Sequence, residues 1–406
     1  MTDLPSGFLL LPPEGDGTFA RLQRKVRLLA LRRLLAAPLG ALAPRLMALA
    51  RRRSAVLLEA LGSPDVLCAL LVMQRDLRPP APLLAQLMPD LLAALPPKSL
   101  LEVLQWEQPV ESVRIPRLGI SVTFSPPAQA MVADQVGLSF ALPGGRRWSP
   151  GEPPPEGVTA QQDYHSLHPA LPRLHLACRD GNPLSMDEAH PDKEGNRVDL
   201  GGRPVSEWVA ALRGALEIIE EGLPEWWREL PLSLERLLPV GFEPERHLSA
   251  SYQEAPNMAY LTLHPDPLTL AEAIIHETQH GRLNRLMLLD AVLDNGRSAW
   301  TTSPVRPDMR PLSGVLLAAH AFVPVAALHT RLAEQGHVLA VGPHFERRRA
   351  AVWQSNAEAL ETLLALGEPT AAGRRLLVDL GGLHEATMFH VEQHTTGGSP
   401  RPPRAP

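Results

Sequence analysis

Proline is the residue that most restricts how this chain can fold, because it lacks a backbone N–H and interrupts helices and central strands. The 406 residues include 43 prolines. In the first quarter of the chain they separate leucine- and alanine-rich runs with helical spacing, which predicts a series of short helices. The breaks are expected at Pro38, Pro44, Pro80, Pro82, Pro89 and Pro96.

The composition is that of a globular protein, with 45% hydrophobic and 20% charged residues. A net charge of −5 gives no reason to expect a nucleic-acid or membrane partner. Cys68 and Cys178 are too few for a disulfide framework or a cysteine metal cluster. No signal peptide is visible, and the most apolar stretch, Leu312–Leu328, is too short to span a membrane. We therefore expect a cytoplasmic protein, whose oligomeric state the sequence leaves open.

After residue 111 the sequence pattern changes from helical spacing to alternation. Alternating β-branched residues predict strands over Val113–Phe124 and Val136–Leu142, with a turn at Pro126-Pro127 between them. An edge strand is expected over Met258–Leu263. Helical spacing then predicts four helices, over Pro204–Gly222, Asp266–Leu293, Leu312–Ala333 and Arg347–Leu366.

Together these patterns predict an α+β fold that is predominantly helical. We expect a helical N-terminal region over residues 1–110 and a small β-containing segment over 111–180. A helical metal-binding domain should follow over 181–394, and a disordered tail over 395–406.

The chemistry of the chain is indicated by the motif His276-Glu277-Thr278-Gln279-His280. Histidines at positions i and i+4 lie on one face of a helix, so both imidazoles can bind one metal ion. Glu277 can reach a metal-bound water and act as the catalytic residue, as in zinc hydrolases. The motif lies on a helix with Asp266 as the expected N-cap and Pro267 in its first turn. These features predict a metal site.

A catalytic metal site usually has three protein ligands, so a further ligand is needed. The metzincin class is excluded because its Gly and His positions are Leu283 and Leu286 here. His320 is the favoured ligand, since an unpartnered imidazole midway along an apolar helix would be costly. One alternative is that His320 bonds to a backbone carbonyl. The other is a ligand from His264, Glu334, Glu346, Glu358 or Glu361, or from His329, His337 or His344, whose sequence context is weaker.

Three arginines near the motif are candidates for binding an acidic cosubstrate: Arg282, Arg306 and Arg310. The planar guanidinium matches the two oxygens of a carboxylate. The alternative is that all three are solvated charges.

Several segments resemble a known family, the 2-oxoglutarate-dependent HExxH-type peptide β-hydroxylases of bacterial peptide-modifying gene clusters. The resembling residues are His247-Leu-Ser-Ala-Ser251, Pro256-Asn-Met-Ala-Tyr-Leu-Thr-Leu263, Leu270-Ala-Glu-Ala-Ile-Ile-His-Glu-Thr-Gln-His-Gly-Arg-Leu-Asn284 and Arg306-Pro-Asp-Met-Arg-Pro-Leu-Ser-Gly314. Residues 175–380 carry nearly all of this resemblance.

The resemblance implies that His276 and His280 bind iron(II), that 2-oxoglutarate is the cosubstrate and that a ribosomally made precursor peptide is hydroxylated. It implies a supporting role for Glu277, either beside the metal ligands or as an extra ligand. The chain departs from the family at Leu317, where many relatives have His or Gln, and at His320, where they have an aromatic residue. Two other functions remain open, a zinc metallopeptidase and a degenerate partner that only binds the precursor peptide.

Overall fold

The protein is described from a computed structural model, which covers residues 10–74, 80–187, 189–190, 193–302 and 309–395. Helix accounts for 51% and strand for 18%, so the predicted α+β, predominantly helical class is confirmed. The predicted tail falls almost wholly outside the described residues, as does Arg306.

The α-helices of the described residues are α1 (Thr18–Ala36), α2 (Leu42–Arg52), α3 (Ser54–Ala60), α4 (Pro64–Gln74), α5 (Pro80–Ala94), α6 (Val205–Gly222), α7 (Pro224–Trp227), α8 (Leu230–Ser233), α9 (Pro267–Met287), α10 (Leu312–Glu334), α11 (Gly342–Leu366) and α12 (Ala371–Thr395). The strands are β1 (Leu104–Trp106), β2 (Val110–Ile115), β3 (Ile120–Ala128), β4 (Ala130–Ala133), β5 (Leu138–Ala141), β6 (Arg147–Trp148), β7 (Val158–Gln162), β8 (Tyr164–Ser166), β9 (His175–Ala177), β10 (Ala189–His190), β11 (Lys193–Glu194), β12 (Leu234–Phe242), β13 (Ser249–Ala250), β14 (Asn257–Leu263), β15 (Trp300–Thr302) and β16 (Met309–Pro311).

The chain divides into two compact units. One gathers Met1–Phe19, Gly214–Leu230 and Asp266–Pro406, and we call it the motif unit because it contains His276 and His280. The other, the sheet unit, comprises Ala20–Arg213 and Pro231–Pro265. The contiguous domain boundaries expected from the sequence stay a prediction.

Among the described residues, the sheet unit contains three small sheets with more than two strands. Their orders are β1-β4-β5-β6, β2-β3-β7 and β13-β14-β12-β9-β8. In the third sheet β14 pairs in parallel with β12 on one side and antiparallel with the two-residue β13 on the other. The prediction of an edge strand at Met258–Leu263 was therefore wrong, because β13 covers that edge and all seven residues of β14 are buried.

Two predictions based on proline were wrong. Pro126 and Pro127 lie within β3 and not in a turn. They follow the part of β3 that pairs with β7, and they lie where the pairing of β3 with β2 shifts register. At such an irregular position a missing N–H interrupts no regular ladder. Pro89 lies inside α5, so residues 80–94 form one helix where the sequence predicts several runs.

The motif unit is built around the packed helices α9, α10, α11 and α12. The side chain of Asp266 caps α9 by accepting from Leu268 N at 3.1 Å, and Pro267 follows, as predicted. Helix α9 ends at Met287, earlier than the predicted Leu293. Helix α12, the fourth helix of this group, was not predicted.

Helix α10 is long and apolar enough by length and composition to cross a membrane, so the prediction that this segment is too short was wrong. However, 78% of its most apolar stretch is buried within the protein, as in the core helix of a soluble protein. Helices α3 and α4 pass the same test only as a pair, and they are bent by 87° at their junction.

Candidate metal centre

The two histidines of the motif converge on one point beside α9. Their Nε2 atoms lie 2.8 Å apart and their ring centroids 4.3 Å apart. Two nitrogens that bind the same metal ion at about 2.1 Å lie about 3 Å apart when the nitrogen–metal–nitrogen angle is near 90°. The spacing of the imidazoles is therefore close to that of two ligands on one ion.

Glu277 adds a carboxylate to this pair. It is 3% exposed, while both histidines are half-buried. One ligand atom from each of His276, Glu277 and His280 lies within 4.8 Å of the other two. Two imidazoles and one carboxylate form the ligand set of non-haem iron(II) oxygenases, and zinc accepts the same residue types. The donor chemistry of these three residues thus fits either metal.

The surroundings of His280 favour its neutral form, which is the form that binds metals. Burial lowers the pKa of His280; the Glu277 carboxylate opposes this effect and the positive charge of Arg310 adds to it. Arg310, the middle residue of β16, is therefore close enough to the motif for its charge to act on His280. Of the arginines considered from the sequence, Arg310 thus has an electrostatic effect on a histidine of the motif.

Arg282 has a different environment. Its side chain is fully buried, and Nη2 donates to Glu229 Oε2 at 2.5 Å. The guanidinium also lies 4.9 Å from the centroid of the Phe19 ring. Burial lowers the pKa of Arg282 to about 10, although Glu229 opposes the shift. The structure thus places Arg282 in a buried ion pair, and its role in binding a cosubstrate stays a prediction. Arg306 lies outside the described residues.

His320 is fully buried on α10 but is not part of the His276, Glu277 and His280 group. Its backbone carbonyl accepts from Gln279 Nε2 at 3.4 Å. Phe322, also on α10, lies against His276, with its ring centroid 4.5 Å from that of the imidazole. Two residues along an α-helix correspond to a rotation of about 200°, so the side chains of His320 and Phe322 lie on nearly opposite faces of α10. The assignment of His320 as a metal ligand stays a prediction.

The carboxylates considered as alternative ligands are likewise not in the group. All four are exposed on α10 or α11: Glu334, Glu346, Glu358 and Glu361. His264 belongs to the sheet unit, where its ring lies 6.3 Å from that of His247.

A second charged cluster lies one helical turn before the motif. Glu272 on α9 is 7% exposed, and its Oε1 is 2.7 Å from His329 Nε2 on α10. Its Oε2 accepts from Arg348 Nε at 3.0 Å and Nη2 at 2.5 Å on α11. Burial alone would raise the pKa of Glu272, but His329 and Arg348 outweigh it and lower the pKa to about 2. We call these three residues the Glu272 cluster.

The Glu272 cluster continues to the motif through Phe322. The Arg348 guanidinium lies 6.0 Å from the Phe322 ring centroid, and the same ring contacts His276. Sequence reasoning missed this arrangement. The only available signal was that Glu272 precedes His276 by four residues and so shares its face of the helix.

No protein-family model matches this chain, and no curated protein matches it. The family expected from the sequence therefore stays a prediction, and the function is argued from the residues themselves.

Proposed function

We propose that the protein is an iron(II)- and 2-oxoglutarate-dependent hydroxylase that modifies a side chain in a ribosomally made peptide. The observation that carries the proposal is the group of two imidazoles and one carboxylate on α9, with the charge of Arg310 reaching His280. Two histidines and one carboxylate are the protein ligands that leave iron(II) open coordination positions for a keto acid.

In this proposal His276, Glu277 and His280 hold the metal. When bound, iron(II) and 2-oxoglutarate supply the oxidising chemistry for C–H hydroxylation, with 2-oxoglutarate and oxygen consumed and succinate and carbon dioxide released. Arg310 binds a carboxylate of the cosubstrate, because its guanidinium offers two parallel N–H donors. Phe322 packs against His276 and limits the positions its ring can take. The peptide partner and a cytoplasmic location are also proposals; the sequence resemblance supports the first, and the low cysteine content supports the second.

A zinc metallopeptidase is the second candidate. It is favoured by the position of Glu277, a buried carboxylate next to the first histidine and within the ligand group. In a hydrolase this carboxylate would accept the proton of a metal-bound water. The same geometry thus serves two reactions, and they differ in whether a keto acid binds.

The test is an anaerobic titration of the iron(II)-loaded protein with 2-oxoglutarate, followed by its visible charge-transfer absorption. The proposal predicts a band in the wild type, no band in His276→Ala and a weaker keto-acid affinity in Arg310→Ala. Arg297→Ala is the matched control, since Arg297 is an exposed arginine of the same unit. Succinate formation on addition of oxygen and candidate peptides completes the assay.

Two results together would contradict the hydroxylase and support the metallopeptidase. They are tight zinc binding without a keto-acid band, and proteolysis that Glu277→Gln abolishes. Binding of neither metal would leave a peptide-binding partner without catalytic activity.

A further inference from the structure

Two cavities adjoin in the sheet unit. Their volumes are about 340 Å³ and 440 Å³, within the range of about 300–1,000 Å³ that is typical of ligand sites. Both are lined by Glu59, Arg173 and Glu235, so these residues mark the boundary between two parts of one cleft. We call it the arginine cleft.

The arginine cleft is basic although the whole chain is acidic. Its charged lining consists of Arg24, Arg27, Arg117, Arg173, Arg236, Glu59 and Glu235. These side chains give a formal charge of +3, against −5 for the whole chain. His175 adds no charge near neutral pH, because burial and then the charge of Arg236 lower its pKa to about 4.

The two glutamates are largely occupied by one arginine. Arg173 lies between the cavities, with Nη1 3.4 Å from Glu59 Oε1 and Nη2 3.1 Å from Glu235 Oε1. Glu235 also accepts from Asn257 Nδ2 at 3.2 Å. The carboxylates of the cleft are therefore committed to groups of the protein itself.

Arg27 is influenced by the charges of Glu235 and Glu59, whereas three other arginines of the cleft have no carboxylate partner among the described residues. Within the part of the chain that the structure describes, Arg24, Arg117 and Arg236 form no ion pair. Arg117 donates only to the backbone oxygen of Leu95, at 2.9 Å. Arg24 and Arg117 are exposed and lie in different cavities, so the unpaired positive charge extends along the cleft.

Arg236 is the strongest indication of a ligand. It is 4% exposed, and its Nη1 donates to two backbone oxygens, those of Arg173 at 3.3 Å and Glu235 at 2.8 Å. Its Nε is buried and has no acceptor among the described residues. A buried guanidinium without a carboxylate partner is energetically costly, so an external acceptor at this cavity would stabilise it.

We propose that the arginine cleft binds an acidic segment of a peptide, whose carboxylates pair with Arg24, Arg117 and Arg236. A small anion would fill one cavity, whereas an extended chain with spaced acidic side chains can reach both. The apolar lining supplied by Ala60, Pro96, Leu58 and Leu232 suits the side chains between the acidic ones. This inference gives the class of peptide for the proposed function and rests on it to that extent, but the binding needs neither metal nor keto acid.

The test is fluorescence anisotropy with fluorescein-labelled hexaglutamate, in buffer without iron or 2-oxoglutarate. We expect saturable binding that weakens with added salt, and no binding of labelled hexalysine. The double variant Arg24→Ala/Arg117→Ala should bind hexaglutamate about tenfold more weakly, a loss of about 1.4 kcal/mol. Both positions are exposed, and circular dichroism checks that the fold is kept.

Arg51→Ala/Arg52→Ala is the matched control, since these arginines are exposed on α2 and outside the cleft. Unchanged hexaglutamate affinity in Arg24→Ala/Arg117→Ala, or an equal loss in the control, would overturn the proposal. Binding of citrate or pyrophosphate without binding of hexaglutamate would also overturn it in favour of a small-anion site. His276→Ala should bind hexaglutamate like the wild type, so loss of the keto-acid band and loss of peptide binding are separate results.

Discussion

Two clusters that combine histidine with glutamate include residues of helix α9 one turn apart, and they differ in where the positive charge comes from. In the Glu272 cluster both carboxylate oxygens are used by His329 and Arg348. In the motif the Nε2 atoms of His276 and His280 face each other at 2.8 Å, beside a buried carboxylate. The first cluster has its cation within the protein, and the second has the arrangement in which a metal ion supplies it. Pairing of histidine with glutamate thus forms an internal ion pair in the Glu272 cluster, and in the motif it leaves the histidines in the arrangement that we propose for metal binding.

The largest difference between the two clusters is expected from Glu272→Ala, which should lower the free energy of unfolding. The change leaves His329 and Arg348 without the carboxylate that they contact. Breaking a buried ion pair lowers the free energy of unfolding by about 3 kcal/mol. Chemical denaturation should show this loss of unfolding free energy, while metal affinity changes little. Glu346→Ala, which removes an exposed carboxylate of α11, should leave the stability within about 0.5 kcal/mol of the wild type. A stable Glu272→Ala protein would contradict the structural role of the cluster.

Lowering the pH should remove the same contribution of Glu272 to the free energy of unfolding. Glu272 has a pKa of about 2 in the folded protein, below its ordinary value of about 4.3. A depressed carboxyl pKa stabilises the fold above the unfolded-state pKa, and this stabilisation is lost as the pH falls from about 5 towards 2. The unfolding free energy of the wild type should therefore fall more steeply in this window than that of Glu272→Gln. Parallel pH profiles would show that Glu272 does not carry the effect.

A smaller effect is expected from Arg310, whose charge acts on His280. Arg310→Ala should weaken 2-oxoglutarate binding about tenfold, since one charge-assisted pair to a carboxylate is lost. Arg310→Lys should recover only part of this affinity, because an ammonium lacks the two parallel donors. Isothermal titration of the iron-loaded variants measures both, and equal affinities in all three proteins would exclude this role.

The smallest effect should come from Phe322, which contacts both His276 and Arg348. Phe322→Leu keeps an apolar side chain but removes the flat ring against the imidazole. We expect metal affinity to fall by less than the roughly tenfold loss that follows removal of a hydrogen-bonded partner of a ligand, because Phe322 only packs against the imidazole. Competition with a chromogenic chelator measures this change, with Phe345→Leu as an aromatic control that contacts His329. A larger loss in the control would show that Phe322 does not orient His276.

The start of α9 and the convergence of its histidines were predictable because both depend on local spacing. Asp266 and Pro267 act within one turn, and His276 and His280 share a face by helical geometry. The end of α9 was not predictable in this way. Asp290 accepts from Val292 N at 2.8 Å and from Thr370 Oγ1 at 2.7 Å, and the latter partner is far along the chain. Such a competing side-chain bond ends the helical pattern while the sequence spacing continues.

The partners of the motif depended on packing that the sequence does not encode locally. The rotation of α10 about its own axis determines which of its side chains lies against His276. Most residues of α10 are apolar, so the sequence does not indicate that Phe322 occupies this position. The arginine cleft is assembled from residues as far apart as Arg24 and Arg236, so no linear motif indicates it.

The most direct test of the difference between the two clusters is an anaerobic iron(II) titration of the apo-protein, with metal affinity measured by chelator competition. We predict one ion per chain in the wild type and in Glu272→Gln. His276→Ala should lose about 100-fold or more in affinity, because it removes a metal ligand. Wild-type affinity in His276→Ala, or an equal loss in Glu272→Gln, would contradict the assignment of the metal to the motif.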